Sequence, residues 1–264
     1  MRIGFLGTGV ISEAMIRGLC DVANYKDPII VSQRSVERSE TLATQYTNVE
    51  VSTHNQDVVD RSDWVFIGVL PEQVPLVLSA LNFREDQRIV SLAAGVSLGV
   101  MRPLIAPCAE LYRAIPMPPI EFAMGPIAVC PKNEALEAFC NQVGVAVSVD
   151  DEAQFNLFGA VSALMSDFFE HVAGTSQWMT DHGLDRTTAV RYSTALYVAL
   201  ADLTMREHPE RLHAMSESCE TPGGLNAQFR KLRHDRGTPR SLIEGLDQIL
   251  QRLEVGNPQD GSER

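Results

Sequence analysis

Metal-binding and disulfide patterns are absent from this sequence of 264 residues. Its five cysteines include no C-x-x-C pair and its six histidines no H-x-x-x-H pair, so we expect neither a disulfide framework nor a metal ion. No apolar stretch reaches the length of a membrane helix, and the chain leads into a predicted strand without a basic signal segment. The expectation is a cytoplasmic protein with no membrane partner.

Basic residues are also scarce. The chain has 22 Lys and Arg against 34 Asp and Glu, which gives a formal net charge of −12. Because such a chain repels the phosphates of nucleic acid, we expect no nucleic-acid partner. Hydrophobic residues make up 45% of the sequence, as in ordinary globular proteins. The length allows one large domain or two smaller ones with a sizeable core.

The first twenty residues predict a nucleotide-binding turn. Ile3 to Leu6 form an apolar run, Gly7-Thr8-Gly9 follows at once, and apolar or small residues then recur at helical spacing. Strand, glycine turn and helix direct backbone N–H groups and a helix N-terminus at a phosphate. Ser12 stands where the G-x-G-x-x-G pattern has its third glycine. The motif alone also fits an ordinary strand–helix turn, but its place ahead of further strand–helix alternations favours a nucleotide site.

Alternating strands and helices are predicted over the first 150 residues. The further predicted strands are residues 28–32, 49–51, 64–69, 88–92, 111–115, 127–130 and 145–149. Several prolines punctuate the last three, so these are expected to be edge-like and antiparallel in part. This alternation predicts an α/β fold, with residues 1–150 forming a Rossmann-type doubly wound sheet.

From residue 151 onward, helical periodicity replaces the strands. One long helix is predicted from Phe155 to about Asp181, followed by helices near residues 187–207, 211–217 and 241–253. Helices with Ala-, Leu- and Met-rich faces often bury those faces against a second subunit. We therefore predict that residues 151–264 form an all-helical domain that binds substrate and makes a homodimer.

The end of the second predicted strand indicates which dinucleotide would bind. An NAD site usually has an Asp or Glu at this point, to bind the 2′-hydroxyl of the adenine ribose. This chain has Ser32-Gln33-Arg34 there, followed by Arg38, and guanidinium groups suit a 2′-phosphate. In the other interpretation, both arginines are solvated residues at the start of a helix. The sequence favours NADP(H), with NAD(H) as the alternative.

Several motifs, in one order, resemble the pyrroline-5-carboxylate reductase family from residue 1 to about 250. They are Gly7-Thr8-Gly9-Val10-Ile11-Ser12-Glu13-Ala14, Val65 to Pro71, Ser91 to Ser97, Arg113 to Pro119, and Thr221-Pro222-Gly223-Gly224. The resemblance implies a hydride-transferring enzyme, and it places Asn55 near the adenine ribose. The residues expected to bind the dinucleotide are Gly7, Thr8, Gly9, Val10, Ile11, Ser12, Ser32, Gln33, Arg34, Asn55, Val69, Leu70, Pro71, Ala93, Ala94 and Gly95.

The substrate half departs from the family more than the cofactor half does. The Thr221–Gly224 segment resembles the family's S-P-G-G turn, which binds the substrate carboxylate. The family's lysine before Pro71 is Leu70 here, and its S-G-S-G-P-A-Y segment is replaced by residues 158–164. The residues expected to bind substrate are Thr221, Gly223, Gly224, Leu225 and Asn226.

The sequence has no obvious acid–base constellation, which is compatible with imine reduction. A cyclic imine protonates readily and then accepts hydride, so the enzyme needs mainly positioning and a water-poor site. The related hydroxy-acid dehydrogenases place a lysine on the long helix, but no lysine lies between residues 133 and 230. Asn226 takes the place of the family's threonine. Asp167 is the second catalytic candidate, an acid if it faces the cleft and an ordinary polar-face residue otherwise.

The leading interpretation is an NADP-dependent reductase of a cyclic imino acid. The resemblance implies reduction of 1-pyrroline-5-carboxylate to proline, by hydride transfer to the C=N bond, in a homodimer or an assembly of dimers. Two alternatives remain open. One is a reductase of a different cyclic imine, and the other is a dinucleotide-binding sensor or partner-binding protein that has lost catalysis.

Overall fold

The computed structural model describes residues 1–255 of the chain. The chain divides into two compact units, the first spanning Met1–Phe155 and the second beginning at Asn156. The division expected from the sequence falls a few residues earlier, between residues 150 and 151. Residues 256–264 of the expected second domain lie outside the described residues.

The first unit is built on an eight-stranded sheet with the order β3-β2-β1-β4-β5-β6-β7-β8. Neighbouring strands from β3 to β6 are parallel, β7 is antiparallel to β6, and β8 is parallel to β7. The predicted Rossmann-type sheet is confirmed, and the antiparallel pair lies in the proline-punctuated region. The strands are β1 (Ile3–Leu6), β2 (Ile29–Ser32), β3 (Val49–Ser52), β4 (Trp64–Ile67), β5 (Arg88–Ser91), β6 (Glu110–Pro116), β7 (Pro126–Cys130) and β8 (Val145–Ser148).

The central strands are covered on both faces, which explains their unbroken apolar sequences. Alternate residues of a strand point to opposite faces, and Phe5 and Leu6 of β1 accordingly lie in two different core clusters. On one face, the Phe5 ring stacks on Phe66 of β4 with a centroid distance of 4.9 Å. The helices connecting these strands are α1 (Val10–Arg17), α2 (Val36–Gln45), α3 (Asn55–Asp60), α4 (Val74–Ser79), α5 (Leu98–Met101) and α6 (Glu134–Cys140).

Helices account for the second unit, and no strand occurs in its described residues. None of the helices described for the chain is long and apolar enough to cross a membrane. The helices are α7 (Phe155–Ser162), α8 (Leu164–Asp181), α9 (Arg186–Arg206), α10 (Leu212–Ser218), α11 (Leu225–Asp235) and α12 (Thr238–Val255).

One helix prediction for this unit was wrong, and one helix was not predicted. The single helix expected from Phe155 to Asp181 is interrupted at Ala163, whose N–H donates to the Ala160 carbonyl three residues back. Just before the break, the Ser162 hydroxyl donates to the Phe158 carbonyl at 2.8 Å, and such back-bonding bends helices. The sequence analysis also missed α11, which follows directly on the Thr221–Gly224 turn.

The long helices of the second unit have little buried surface within this chain. Along α8 and α9, the residues described as buried are Ser176, Ala189 and Ser193. Large apolar side chains on the same helices, including Trp178 and Met205, are exposed. Contiguous apolar surface of this kind marks an interaction face.

Candidate active site

The predicted cofactor residues follow the carboxyl ends of neighbouring parallel strands. Residues 7–12 follow β1, residues 33–34 follow β2, Asn55 follows β3, residues 69–71 follow β4 and residues 93–95 follow β5. Because these strands are parallel neighbours, the segments meet at one edge of the sheet. The chain winds from β1 to β3 on one side and from β4 to β6 on the other, so the crevice between β1 and β4 is the switch point where ligands bind in such sheets.

The glycine turn after β1 is closed by contacts that only glycine permits. Gly7 has a φ of +95°, and a Cβ there would lie 2.7 Å from the carbonyl oxygen of Gly68, after β4. The Gly7 N–H donates to Ser32 Oγ at 2.8 Å, and Thr8 Oγ1 donates to the Ser32 carbonyl at 2.8 Å. Ser32, at the end of β2, therefore holds the turn in place from within the protein.

The N-terminus of α1 faces the same crevice region. Gly9 is its N-cap and has no side chain to occupy the helix end, and the helical ladder begins where Glu13 N–H donates to the Gly9 carbonyl at 2.9 Å. The N–H groups of the first turn, from Val10 to Ser12, therefore lie at the helix end. A diphosphate fits this cradle because the helix N-terminus and the side-chain-free turn favour a bound anion.

Ser12 occupies the place of the third glycine of the motif. Its side chain packs against Gly68, the residue that follows β4. The Ser12 side chain is fully buried, and its Oγ has no hydrogen-bond partner within residues 1–255. A Cβ on Gly68 would overlap Ser12 Oγ, and it would also lie 2.9 Å from the Gly7 carbonyl oxygen. Helix and strand thus approach closely through Gly68, a residue that the sequence analysis missed. Because the motif lacks its third glycine, a glycine elsewhere at the contact between helix and strand could have been expected.

Gln33, Arg34 and Asn55 line one open cleft of about 810 Å³ beside the glycine turn. Its other walls are Val36, the start of α3, and residues in α4 and just after it, such as Leu76 and Leu81. The structure therefore brings together the residues that the sequence assigned to the adenosine end of the dinucleotide. Its lining is mixed, with an apolar side formed by residues such as Val77 and Leu81 and a polar side that includes Gln33 and Asn55. Such a mixture suits an adenosine, whose base is flat and apolar on its faces and whose ribose is polar.

A second cleft of about 550 Å³ lies on the other side of Val36, at the N-terminus of α2. Its lining residues are Glu13, Ser35, Val36, Glu37, Arg38 and Thr41. Ser35 is the N-cap of α2, and within the described chain its side chain makes no capping hydrogen bond. Arg38 pairs with Glu13, with Nε and Oε2 separated by 3.0 Å. The uncapped helix N-terminus and the guanidinium group in this cleft favour an anion, whereas the Glu13 and Glu37 carboxylates in its lining oppose one.

The segments after β4 and β5 form an open edge of the sheet, where the nicotinamide half of a dinucleotide has room. Val69 is buried in the core, whereas Leu70 and Pro71 are exposed, with Pro71 starting a short 3₁₀ turn. Ala93 is buried, while Ala94 and Gly95 are exposed, and Gly95 has a φ of +81°. Small residues at a strand end leave room for a ligand.

The predicted substrate turn is a well-defined β-turn in the second unit. Gly224 N–H donates to the Thr221 carbonyl at 2.8 Å, Pro222 occupies the second position, and Gly223 in the third position has a φ of +71°. Proline followed by a residue with positive φ is the signature of a type II turn. A Cβ on Gly224 would overlap Thr221 Oγ1 and would lie 3.0 Å from the Thr221 carbonyl oxygen, so a larger residue there would displace the Thr221 side chain.

Leu225 and Asn226 start α11 directly after this turn. Leu225 is 83% exposed, and the Asn226 amide nitrogen donates to the Cys219 carbonyl at 2.8 Å. Asn226 therefore ties the start of α11 to the end of α10 and keeps one further N–H to donate. An amide has no proton to release at neutral pH, so Asn226 is suited to holding a substrate rather than to acid catalysis.

Glu220 precedes the turn, and its charge is compensated. Its carboxylate forms a two-point ion pair with the Arg230 guanidinium of α11, in which Nη2 and Oε2 are separated by 3.0 Å. The hydrogen bond from Arg230 holds the pKa of the Glu220 carboxyl below its ordinary value of 4.5. Glu220 therefore does not present an unpaired negative charge to a substrate carboxylate.

Asp167, the second predicted catalytic residue, lies on α8 with a side chain that is 63% exposed. Its carboxylate oxygen is 3.4 Å from Nδ1 of His171, one helical turn later. Both line a cleft of about 650 Å³ together with Arg233 of α11 and residues of α12. Within this chain, burial does not isolate Asp167 from water, so its role as an acid stays a prediction. No group of three or more potential metal ligands occurs among residues 1–255.

The sheet and its carboxyl-edge site define the class of protein as a dinucleotide-binding oxidoreductase of the Rossmann type. Residues 2–95 match the family model described as NADP oxidoreductase coenzyme F420-dependent. The match covers β1 to β5 and the segments that hold the predicted cofactor residues. It supports a nicotinamide dinucleotide as the cofactor.

Several proteins that are similar to this chain over nearly its whole length are pyrroline-5-carboxylate reductases. The chain is 29% identical over 266 residues to the pyrroline-5-carboxylate reductase of Pseudomonas aeruginosa, with 95% of each chain covered. The structure of 1-pyrroline-5-carboxylate reductase from Streptococcus pyogenes matches with a TM-score of 0.81 at 22% identity, covering 97% of this chain and 99% of that one. The Plasmodium falciparum pyrroline carboxylate reductase with NADP bound gives a TM-score of 0.80 at 14% identity and covers 97% of both chains.

These similarities confirm the resemblance to pyrroline-5-carboxylate reductases that the sequence motifs predict. The chain is a pyrroline-5-carboxylate reductase-like, NAD(P)H-dependent enzyme. At these identities, the likeness to the solved structures concerns the fold.

Proposed function

We propose that this protein is an NADPH-dependent reductase that converts 1-pyrroline-5-carboxylate to proline. The observation that carries the proposal is that a dinucleotide-binding edge and a Thr-Pro-Gly-Gly turn occur in one chain similar over 95% of its length to such a reductase. The cradle fits a diphosphate because Gly9 carries no side chain that would block the N-terminus of α1, while Gly7 lets the turn pack closely against Gly68.

The surroundings of the ribose site support NADPH over NADH. No carboxylate stands in the Ser32–Ser35 segment after β2, where an NAD site would bind the 2′-hydroxyl. Arg34 lines the adenosine cleft, and Arg38 lines the neighbouring cleft beside the uncapped N-terminus of α2. A 2′-phosphate between these clefts would gain charge-assisted hydrogen bonds and a favourable helix dipole.

In the proposed reaction, the reduced nicotinamide supplies a hydride to the carbon of the C=N bond. The protein's part is to hold the substrate by its carboxylate and to limit water. The Thr221–Gly224 turn suits a carboxylate because the exposed Gly223 leaves its backbone accessible, and Asn226 has one N–H left to donate. Because the imine nitrogen is protonated readily, the substrate can bring its own proton, and neither Asn226 nor Asp167 has to release one.

We also propose that the protein is a homodimer, or an assembly of dimers, that forms through the second unit and works in the cytoplasm. The apolar faces of α8 and α9 are exposed in the single chain, and a second copy would cover them. The described cysteines are all free thiols, four of them buried, which suits a reducing compartment.

A second candidate is reduction of a different cyclic imine. It is favoured by the exposed Leu70 and Leu225, which bring apolar surface to positions where the resembled family has a lysine and a small residue. An imine without a carboxylate would suit such surfaces better than a charged substrate does.

Steady-state NADPH oxidation with a panel of cyclic imines, with and without a carboxylate, tests these proposals. The highest kcat/KM for 1-pyrroline-5-carboxylate is expected. A preference for imines without a carboxylate would favour the second candidate. Tight NADPH binding without turnover of any imine would contradict both and identify a catalytically silent sensor.

A further inference from the structure

Glu13 joins two arginines from different helices. It lies in the first turn of α1, and its Oε1 accepts hydrogen bonds from Arg17 Nε at 3.1 Å and Arg17 Nη2 at 2.9 Å. Its Oε2 lies 3.0 Å from Nε of Arg38, on α2. The Glu13 side chain is 22% exposed, so water screens these contacts only in part. Each carboxylate oxygen of Glu13 therefore contacts a different arginine: Oε1 contacts Arg17 of α1, and Oε2 contacts Arg38 of α2.

Arg38 lines the cleft while it is paired with Glu13. The ion pair with Glu13 is made at Nε of Arg38, 3.0 Å from Glu13 Oε2. The side chain is 46% exposed and lines the cleft with Ser35 and Thr41. A guanidinium held by one edge presents its other edge as a planar pair of donors, which is the geometry a phosphate requires.

From these contacts, we propose that Glu13 is a positioning residue for cofactor selection, which orients Arg38 toward the ester phosphate that distinguishes NADP from NAD. This inference rests on the proposed dinucleotide site. A free arginine side chain must be ordered when it binds, and an arginine already held by Glu13 loses less entropy. Arg17 neutralises Glu13 from the other side, so the carboxylate repels the nearby phosphate little. Glu13 also connects the helix that faces the diphosphate with the helix that faces the 2′-phosphate.

Dissociation constants for NADP⁺ and NAD⁺, measured by calorimetry on the full chain, test this inference. Glu13→Gln is expected to weaken NADP⁺ binding about fivefold, the effect of losing a partly exposed ion pair that holds an arginine. NAD⁺ binding is expected to stay unchanged, which also shows that the site is folded. Glu37→Gln is the matched control, since it removes the same charge from the same cleft while Glu37 forms no ion pair with a described arginine. This control should bind NADP⁺ at least as tightly as the wild type.

A double-mutant cycle with Arg38→Ala shows whether Glu13 acts through Arg38. In the Arg38→Ala background, Glu13→Gln is expected to cause no further loss of NADP⁺ affinity. An equal loss in that background, or tighter NADP⁺ binding by Glu13→Gln alone, would overturn the inference. A wild-type protein that binds NADP⁺ while Glu13→Gln behaves as the wild type overturns this inference alone. A wild-type protein that binds neither dinucleotide overturns the proposed function as well.

Discussion

Gly68 does from the strand side what the third glycine of a dinucleotide turn usually does from the helix side. The usual role of that glycine is to let the helix pack closely on the strand. In this chain the helix carries Ser12, which is fully buried, and the missing Cβ of Gly68 provides the space for it. The substitution in the motif is therefore compensated locally, and the turn at Gly7 keeps its conformation.

A Gly68→Ala substitution is expected to destabilise the first unit by about 1–3 kcal/mol, the usual cost of overpacking. The new Cβ would overlap Ser12 Oγ and lie 2.9 Å from the Gly7 carbonyl oxygen. Urea unfolding measures the loss, and adding Ser12→Gly should recover part of it. Gly99→Ala is the control, because a Cβ there meets only Ser97 Oγ at 3.8 Å. Equal stability of Gly68→Ala and Gly99→Ala would contradict the packing account.

Arg34→Ala is expected to lower kcat/KM for NADPH by about tenfold to a hundredfold, the loss of a charge-assisted hydrogen bond to the 2′-phosphate. The kcat/KM for NADH should change little, because NADH has no phosphate at that position. Steady-state kinetics with both cofactors gives the comparison. Equal losses with NADPH and NADH would show that Arg34 supports the fold of the cleft and does not select the cofactor.

Contacts within the chain hold the predicted substrate turn between α10 and α11 in place. The Thr221–Gly224 turn is closed by its own hydrogen bond, while Asn226 ties α11 back to the Cys219 carbonyl. The Glu220–Arg230 ion pair spans the same turn from the other side. The turn is therefore fixed at both ends, as a binding loop must be to lose little entropy when a ligand binds.

This ion pair makes the turn sensitive to acid. Arg230 lowers the pKa of Glu220 in the folded state, so the pair stabilises the fold above the unfolded pKa, and the stabilisation is lost as pH falls through the folded pKa. NMR titration of the Glu220 carboxyl should give a pKa below 4.5 in the wild type and a higher one in Arg230→Gln. An unchanged Glu220 pKa in that variant would contradict the pairing.

Sequence patterns predicted the elements of the first unit better than those of the second. In the first unit, unbroken apolar runs such as residues 64–69 mark strands buried on both faces, and the strand ends locate the candidate cofactor site. The break at Ala163 could not be predicted, because apolar residues continue at helical spacing across it and neither glycine nor proline stands at the break. The contribution of Gly68 depends on contact between β1 and β4, which are far apart in sequence.

The chain as a whole has one unit with a complete core and one with apolar faces left uncovered. The first unit contains two large clusters of buried side chains on either side of its sheet. In the second unit, exposed large side chains run along α9, among them Leu203 and Met205. Helices that remain this exposed gain most of their stability from packing against another surface.

Light scattering of the purified chain is expected to give a dimer or a multiple of it. Leu203→Glu on α9 should shift the mass toward the monomer, because a buried charge in an apolar interface is costly. Val100→Glu on α5 is a control with a similarly exposed apolar residue, 49% against 53%, and it should leave the mass unchanged. A monomeric wild type, or dissociation caused equally by both variants, would contradict assembly through the second unit.

The most direct test of the central claim is to follow NADPH consumption and proline formation together after adding 1-pyrroline-5-carboxylate. One proline is expected to form for each NADPH oxidised, and no NADPH is expected to be consumed without the imine. NADPH binding with no proline formed would contradict the proposed reductase activity and would indicate a protein that only binds the dinucleotide.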